Sequence, residues 1–284
     1  MVKLIECPRD AMQGIKEFIS TQMKVDYINQ LLKVGFDTID FGSFVSPKAI
    51  PQMADTHEVI QSLNTLDTKS KLLAIVANRR GAIEACEYAP IQYLGYPFSI
   101  SETFQLRNTN STIAEALETV KEIQEICSSK NKKLVIYVSM GFGNPYGDPW
   151  NVHIAQKWVD ELAEFGIRII SLSDTIGVST PESIHYLFSN LIPPYPDVEF
   201  GAHLHTTPKT WREKVQAAWR GGCKRFDGAM KGLGGCPMAK DELTGNMPTE
   251  QMISFFDEID AGLDIDWKEL SRSMMMADTL FQIH

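Results

Sequence analysis

The chain has 284 residues, long enough for one large α/β barrel or two ordinary domains, and its 44% apolar and 22% charged residues are the balance of a globular protein. The net charge of −9 comes without a basic cluster, which argues against nucleic acid as a partner, because phosphate backbones need a concentrated Lys/Arg face. No apolar run approaches the ~18 residues of a membrane span, and Met1-Val2-Lys3-Leu4-Ile5 enters a strand pattern with no signal peptide; a cytoplasmic protein is expected.

Val2 to Glu6 reads as a short strand ended by Cys7-Pro8, with Arg9-Asp10 opening a loop through Gly14. A helix follows from about Thr21 to Val34, with Val25, Ile28, Leu31 and Leu32 at helical spacing and Gly35 as its stop. The unit then repeats. A strand over Thr38–Phe41 is followed by the loop Gly42 to Lys48 and a helix at about 55–63, and a strand over Lys71–Val76 by a helix to about Tyr88. A strand over Ile91–Tyr96 leads into a long polar loop through Asn110 and a helix over 113–128. A strand over Lys133–Ser139 leads into a Gly/Asn/Pro-rich loop and a helix over 151–164. Strands over 167–172, 198–204 and 225–229 follow, with helices from near Pro181, over about 211–220 and over 249–261; a glycine-rich loop spans Gly232 to Asn246.

Eight strand–helix units of about 30 residues, with no linker between them, predict an α/β fold of one (β/α)8 TIM barrel. The single domain covers 1–284, with the barrel over about 2–261. Residues 264–284 form a C-terminal amphipathic helix carrying Leu270, Met274, Met275 and Leu280, which closes the barrel end or makes a subunit contact. Cysteines 7, 86, 127, 223 and 236 form no close pair and read as reduced thiols.

In such barrels the site lies at the carboxyl ends of the strands. The polar residues there are Arg9, Asp10 and Gln13 after the first strand, Asp40 on the second, Asp174 on the sixth, His203 and His205 on the seventh, and Cys236 and Asn246 after the eighth. Residues two apart on a strand share a face, so both imidazoles of His203-Leu204-His205 look the same way. Strands one, seven and eight are neighbours in a closed barrel, so Asp10, His203, His205 and Asn246 can converge on one divalent metal. Oxygen-rich ligation with two open positions suits Mg²⁺ or Mn²⁺, although the nitrogens also accept Zn²⁺ or Co²⁺.

Pro8-Arg9-Asp10, Ser43-Phe44-Val45-Ser46-Pro47-Lys48, Pro51-Gln52-Met53, Ser171 to Gly177, His203-Leu204-His205 and Gly232-Leu233-Gly234-Gly235-Cys236-Pro237 closely resemble the 3-hydroxy-3-methylglutaryl-CoA lyase family, in the same order from Lys3 to about Ala261. The resemblance implies a metal-dependent carbon–carbon lyase that splits a branched 3-hydroxyacyl-CoA into acetyl-CoA and acetoacetate, in leucine degradation or ketone-body formation. It implies Asp10, His203, His205 and Asn246 as metal ligands and Arg9 as the residue that stabilises the departing enolate. Cys236 is implied as the active-site thiol, with Asp40 and Asp174 as further catalytic residues at acidic positions of the family's active site. Arg9, Gln13 and Lys48 are expected to bind the acyl-CoA substrate, and a homodimer is expected. Ala11, Asp40 and Thr206 depart from the family's usual Gly, Glu and Asp, and the loop from Cys236 to Asn246 carries one extra residue. The rival readings are a related metal-dependent aldolase or acyl-CoA condensing enzyme, a metallohydrolase, and a barrel retained as a binding module.

Overall fold

The computed structural model describes residues 1–235 and 244–281. Its elements run β1 (Lys3–Glu6), α1 (Pro8–Gln13), α2 (Thr21–Leu31), β2 (Thr38–Ser43), α3 (Thr56–Ser62), β3 (Lys71–Ile75), α4 (Arg79–Cys86), β4 (Ile91–Ser99), α5 (Glu102–Thr109) and α6 (Ile113–Ser129). They continue as β5 (Lys133–Ser139), α7 (Val152–Glu164), β6 (Ile169–Asp174), α8 (Pro181–Leu191), β7 (Glu199–Thr206), α9 (Trp211–Arg220), β8 (Arg225–Gly228), β9 (Gly245–Asn246), α10 (Thr249–Glu258) and α11 (Trp267–Leu280).

Strands β1 to β8 pair in parallel in sequence order, and β1–β8 pairing closes the ring. The fold is therefore the expected (β/α)8 barrel with a C-terminal helix. Two apolar cores follow from strand alternation. Ala74, Leu94, Ile136 and Ile170 belong to the large core beneath the helices. Leu73, Ile75, Tyr93, Val135, Tyr137 and Ile169 form a second, smaller cluster inside the barrel.

Local chemistry sets the helix starts. Ser20, Asn78, Ser101 and Asn151 each accept from a backbone N–H in the first turn of α2, α4, α5 and α7. Thr112 and Glu115 make a reciprocal capping box on α6. Helix α11 lies along α2 on the barrel flank, where Gln30 donates to Glu269 Oε2 at 2.8 Å and Asp266 N to Val34 O at 2.8 Å.

Three segments differ from their expected form, all at the carboxyl rim. The loop after β1 is the short helix α1, with Pro8 at the first helical position, where its missing N–H costs nothing. The polar stretch after β4 holds α5, whose start is tied by Asp148: Ser101 Oγ and Thr103 N donate to Oδ2 at 2.5 and 3.0 Å. The glycine-rich loop ends in β9, antiparallel to β7 with His205 opposite Asn246.

Candidate active site

Helical spacing places Arg9, Asp10 and Gln13 on one face of α1, since residues three and four apart are neighbours. Arg9 Nη1 donates to Asp10 Oδ1 at 3.0 Å and to Gln13 Oε1 at 2.7 Å, and Gln13 Nε2 donates to Asp10 Oδ1 at 2.8 Å. The other edge of the guanidinium grips Asp40, with Nη2 and Nε 2.6 and 3.1 Å from Oδ2. All three charged groups are buried. Burial opposes the Arg9 charge, but Asp40 and Asp10 outweigh it and hold the guanidinium firmly protonated. Burial likewise works against the Asp10 carboxylate, yet Arg9 and then His203 bring its pKa below the ordinary value. At Asp40 burial wins over Arg9 and pushes the carboxyl up to about 6.

On β7, His203 and His205 have ring centroids 5.5 Å apart. Each ring is pinned through Nδ1: His205 Nδ1 meets Thr175 O at 2.8 Å, and His203 Nδ1 meets Asp227 Oδ2 at 3.2 Å. Such contacts fix the tautomer and turn Nε2 outward for ligation. His205 Nε2 is buried and makes no hydrogen bond. Burial and the neighbouring His203 lower the His205 pKa, which keeps a lone pair available, whereas Asp227 raises His203 against the effect of burial.

One ligand atom from each of Asp10, His203 and His205 lies within 4.8 Å of the others. A hard carboxylate oxygen, two imidazole nitrogens and an unpartnered buried Nε2 fit one divalent cation. Asn246 stands beside them, its Nδ2 donating to Asp10 Oδ2 at 2.6 Å and to Leu233 O at 2.7 Å. The amide therefore presents nitrogen, and not its ligating oxygen, to Asp10.

These groups open on a cavity of about 410 Å³ at the carboxyl end of the barrel. Its wall includes Arg9, Asp10, Gln13, His203 and His205, apolar Val45, Ile75 and Pro97, the Tyr137 ring, and Asn108 and Thr109 from α5. A larger groove of about 950 Å³ lies on the outer wall by α7 and α8, lined by Trp150, Tyr186 and Arg220, and contains none of the site residues.

The remaining expected residues fall elsewhere. Asp174 does not line the cavity; its carboxylate accepts from Lys214 Nζ at 2.8 Å and from Ser179 N at 3.1 Å, both outside the barrel lumen. Lys48 is exposed, next to Ala49 at the cavity mouth. Asp40 sits behind Arg9 and is not part of the cavity wall. Cys236 lies outside the described residues. The sequence reading missed Asp227, the partner of His203. Its signal was Arg225-Phe226-Asp227: two charges two apart on a buried strand must share a face.

A parallel barrel with an Asp/His/His cluster and an arginine at its carboxyl rim is the build of a metal-assisted barrel enzyme. The HMGL-like family profile matches residues 2–276. The chain is 31% identical over 263 residues to a hydroxymethylglutaryl-CoA lyase of Bacillus subtilis, covering 93% of this chain and 87% of that one. It is 28% identical over 276 residues to an (R)-citramalyl-CoA lyase of Chloroflexus aurantiacus, covering 93% and 85%. An HMG-CoA lyase structure from Acinetobacter baumannii, in complex with coenzyme A and 3-methylmalate, superposes with a TM-score of 0.90 at 30% identity, covering 99% of this chain and 92% of that one. The chain belongs to the HMGL-like family and is a carbon–carbon lyase of that kind.

Proposed function

We propose that this enzyme cleaves 3-hydroxy-3-methylglutaryl-CoA to acetyl-CoA and acetoacetate with the help of one Mg²⁺ or Mn²⁺ ion. The observation that carries the reading is the convergence of Arg9, Asp10, His203 and His205 on one cavity. Asp10 and the two imidazoles would hold the ion, with Asn246 joining through Oδ1 after a half-turn of its amide. A bound divalent ion supplies Lewis-acid polarisation of a hydroxyl or carbonyl oxygen and a template for the substrate.

The chain's own residues supply the rest. Breaking the C2–C3 bond passes the C3 hydroxyl proton to water in the cavity, turns the C3–O bond into a ketone carbonyl and leaves the C2–C3 electron pair on the thioester as an enolate. Arg9 commits four of its five N–H donors to Asp40, Asp10 and Gln13, so its plane is fixed and one Nη2–H is left for the thioester oxygen. A preorganised donor of that kind is worth about 3 kcal/mol in the transition state. Asp40 and Gln13 orient Arg9, and Cys236 is assigned the proton that the enolate takes up. Asp174, tied to Lys214 and Ser179, supports the rim from outside the cavity. In this reading Lys48, exposed beside Ala49 of the cavity wall, meets the acyl-CoA where it leaves the mouth. The reading includes a cytoplasmic homodimer, which light scattering coupled to gel filtration tests. Among the described residues no helix is long and apolar enough to cross a membrane.

The deciding experiment incubates purified protein and Mg²⁺ with 3-hydroxy-3-methylglutaryl-CoA, and in parallel with citramalyl-CoA, and identifies products by mass spectrometry. Acetyl-CoA with acetoacetate is the expected pair. Cleavage of citramalyl-CoA alone would reassign the substrate while keeping the reaction class.

A further inference from the structure

Beneath His203, on the side away from the cavity, Cys7, Asp227 and His203 form a second cluster whose ligand atoms all lie within 4.8 Å of one another. Register holds it together: Cys7 N donates to Gly228 O at 2.8 Å, and His203 lies opposite Asp227 across β7 and β8. Cys7 and Asp227 are 1% and 2% exposed, so neither has solvent as a standing hydrogen-bond partner. The cluster is under-bonded. Asp227 Oδ1 is buried and makes no hydrogen bond, and the Cys7 thiol has only a long 3.8 Å contact with Ile5 O. An unmet carboxylate oxygen at zero exposure is costly unless something satisfies it.

The geometry already suits a small tetrahedral ion. His203 Nδ1 and Asp227 Oδ2 stand 3.2 Å apart, close to the edge of about 3.3 Å expected for ligands ~2.0 Å from zinc. A sulfur donor separates this cluster from the Asp10 site, because thiolate selects softer ions over Mg²⁺ or Mn²⁺. Charge also balances, with a thiolate and a carboxylate against one divalent ion. The nearby Arg225 reaches Glu199 and Asp37 at 3.3 and 3.9 Å but keeps Nε and Nη2 buried without a partner, and Asp227 is its strongest charge neighbour, so an ion here has to share that carboxylate with the guanidinium.

We propose that Cys7, Asp227 and Nδ1 of His203 form a thiophilic-metal site, for an ion of the Zn²⁺ or Cd²⁺ class, whose occupation excludes the catalytic divalent ion. Coordination breaks the S–H bond and releases that proton to solvent. The ring proton moves from Nδ1 to Nε2 through solvent, and no electrons are transferred. A neutral imidazole has one lone pair, so His203 bound through Nδ1 carries N–H where the Asp10 site needs a donor. The exclusion rests on the reading of His203 Nε2 as a ligand of the catalytic ion; the soft-metal site does not.

The test begins with metal-free protein titrated with Cd²⁺ and followed by the ultraviolet cadmium–thiolate charge-transfer band. One equivalent should raise the band in the native chain and in Cys236→Ser, but not in Cys7→Ser or Cys7→Ala. A band that survives both Cys7 substitutions overturns the site. A zinc-soaked crystal should show an anomalous peak about 2.3 Å from Cys7 Sγ, and a peak confined to Asp10, His203 and His205 overturns it equally. For the exclusion, Mn²⁺ bound to the native chain and counted by paramagnetic resonance should be displaced by equimolar Cd²⁺, with at least tenfold weaker displacement in Cys7→Ser. Cadmium binding at Cys7 with Mn²⁺ retained would keep the site, refute the exclusion and count against His203 as a catalytic-ion ligand. These readouts need no turnover, so absence of lyase activity would fail the proposed function alone.

Discussion

The Arg9 guanidinium lies on Asp40 through two donors, Nη2 at 2.6 Å and Nε at 3.1 Å from the same oxygen, and both side chains are buried. Their positions differ even though they share the contact. Arg9 reaches the cavity and Asp40 does not, so Asp40 is expected to act through Arg9. Arg9→Met should lower kcat by about 10²–10³ with little change in KM, the signature of a group acting in the transition state. It should also cost about 3–5 kcal/mol of stability by leaving buried carboxylates unpaired. Arg9→Met combined with Asp40→Leu should recover much of the stability in urea melts and none of the turnover. Recovery of both would make the pair structural.

How far the site could be read from sequence depended on whether a residue's direction was visible in its pattern. His203 and His205 were legible because two like residues on one strand must share a face whichever way it points. Asp174 was not. Its strand alternates Ile169, Ser171, Ser173 with Ile170, Leu172, Asp174, both sets are buried, and hydrophobicity alone cannot say which looks inward. The structure turns Ser173 to the cavity and Asp174 to Lys214. The eight-fold repeat was plain because helix and strand periods alternate over the whole chain. Helices α1 and α5 escaped because six or eight mostly polar residues give too few turns for an apolar stripe. Asn246 was expected at the site, but its place opposite His205 depends on a two-residue strand that no periodicity could reveal.

The proposed metal site makes a stoichiometric prediction. Chelator-treated protein should bind one Mn²⁺ per chain by calorimetry and regain turnover in proportion. His205→Ala should abolish that binding, since its Nε2 has no other partner to compensate. Asp227→Asn should weaken it about 10–100-fold by freeing the His203 ring, the usual scale for a residue that orients a ligand. Unchanged affinity in both variants would remove the Asp/His/His assignment.

A third prediction concerns Glu6, wholly buried behind the barrel, which accepts from Met230 N at 2.9 Å and Thr249 Oγ1 at 2.5 Å and so joins the two feet of the glycine-rich loop. Burial, only partly offset by these bonds, pushes its carboxyl up to about 8, against 4.5 for the free group. Between these values the folded chain holds a proton that the unfolded chain has released. Stability should therefore be greatest below pH 4.5 as far as this group is concerned, and be lost as pH rises towards 8, by at most about 1.4 kcal/mol per unit. Urea melts from pH 5 to 8 should show that slope, and Glu6→Gln should flatten it. An identical slope in the variant would assign the pH dependence to other groups.

The last prediction separates a proton-handling Asp174 from one that shapes the rim. Lys214 Nζ donates to Asp174 at 2.8 Å and also to His205 O at 2.9 Å and Gly177 O at 3.2 Å, so the buried pair ties the ends of β6 and β7 together. That bond to His205 O fixes the backbone of a histidine proposed to bind the metal. If Asp174 works through this tie, Lys214→Met should impair the enzyme as Asp174→Asn does, each lowering Mn²⁺ affinity together with kcat. Asp174→Asn should be the milder, because its amide oxygen can still accept from Ser179 N, now 3.1 Å from the carboxylate. Lys214→Met leaves the carboxylate buried without its cation, which costs about 3–5 kcal/mol, so Lys214→Arg serves as the conservative control and should retain most metal affinity. A proton donor would behave otherwise: Asp174→Asn would lose turnover by orders of magnitude with Mn²⁺ affinity intact, and Lys214→Arg would be silent in both measurements.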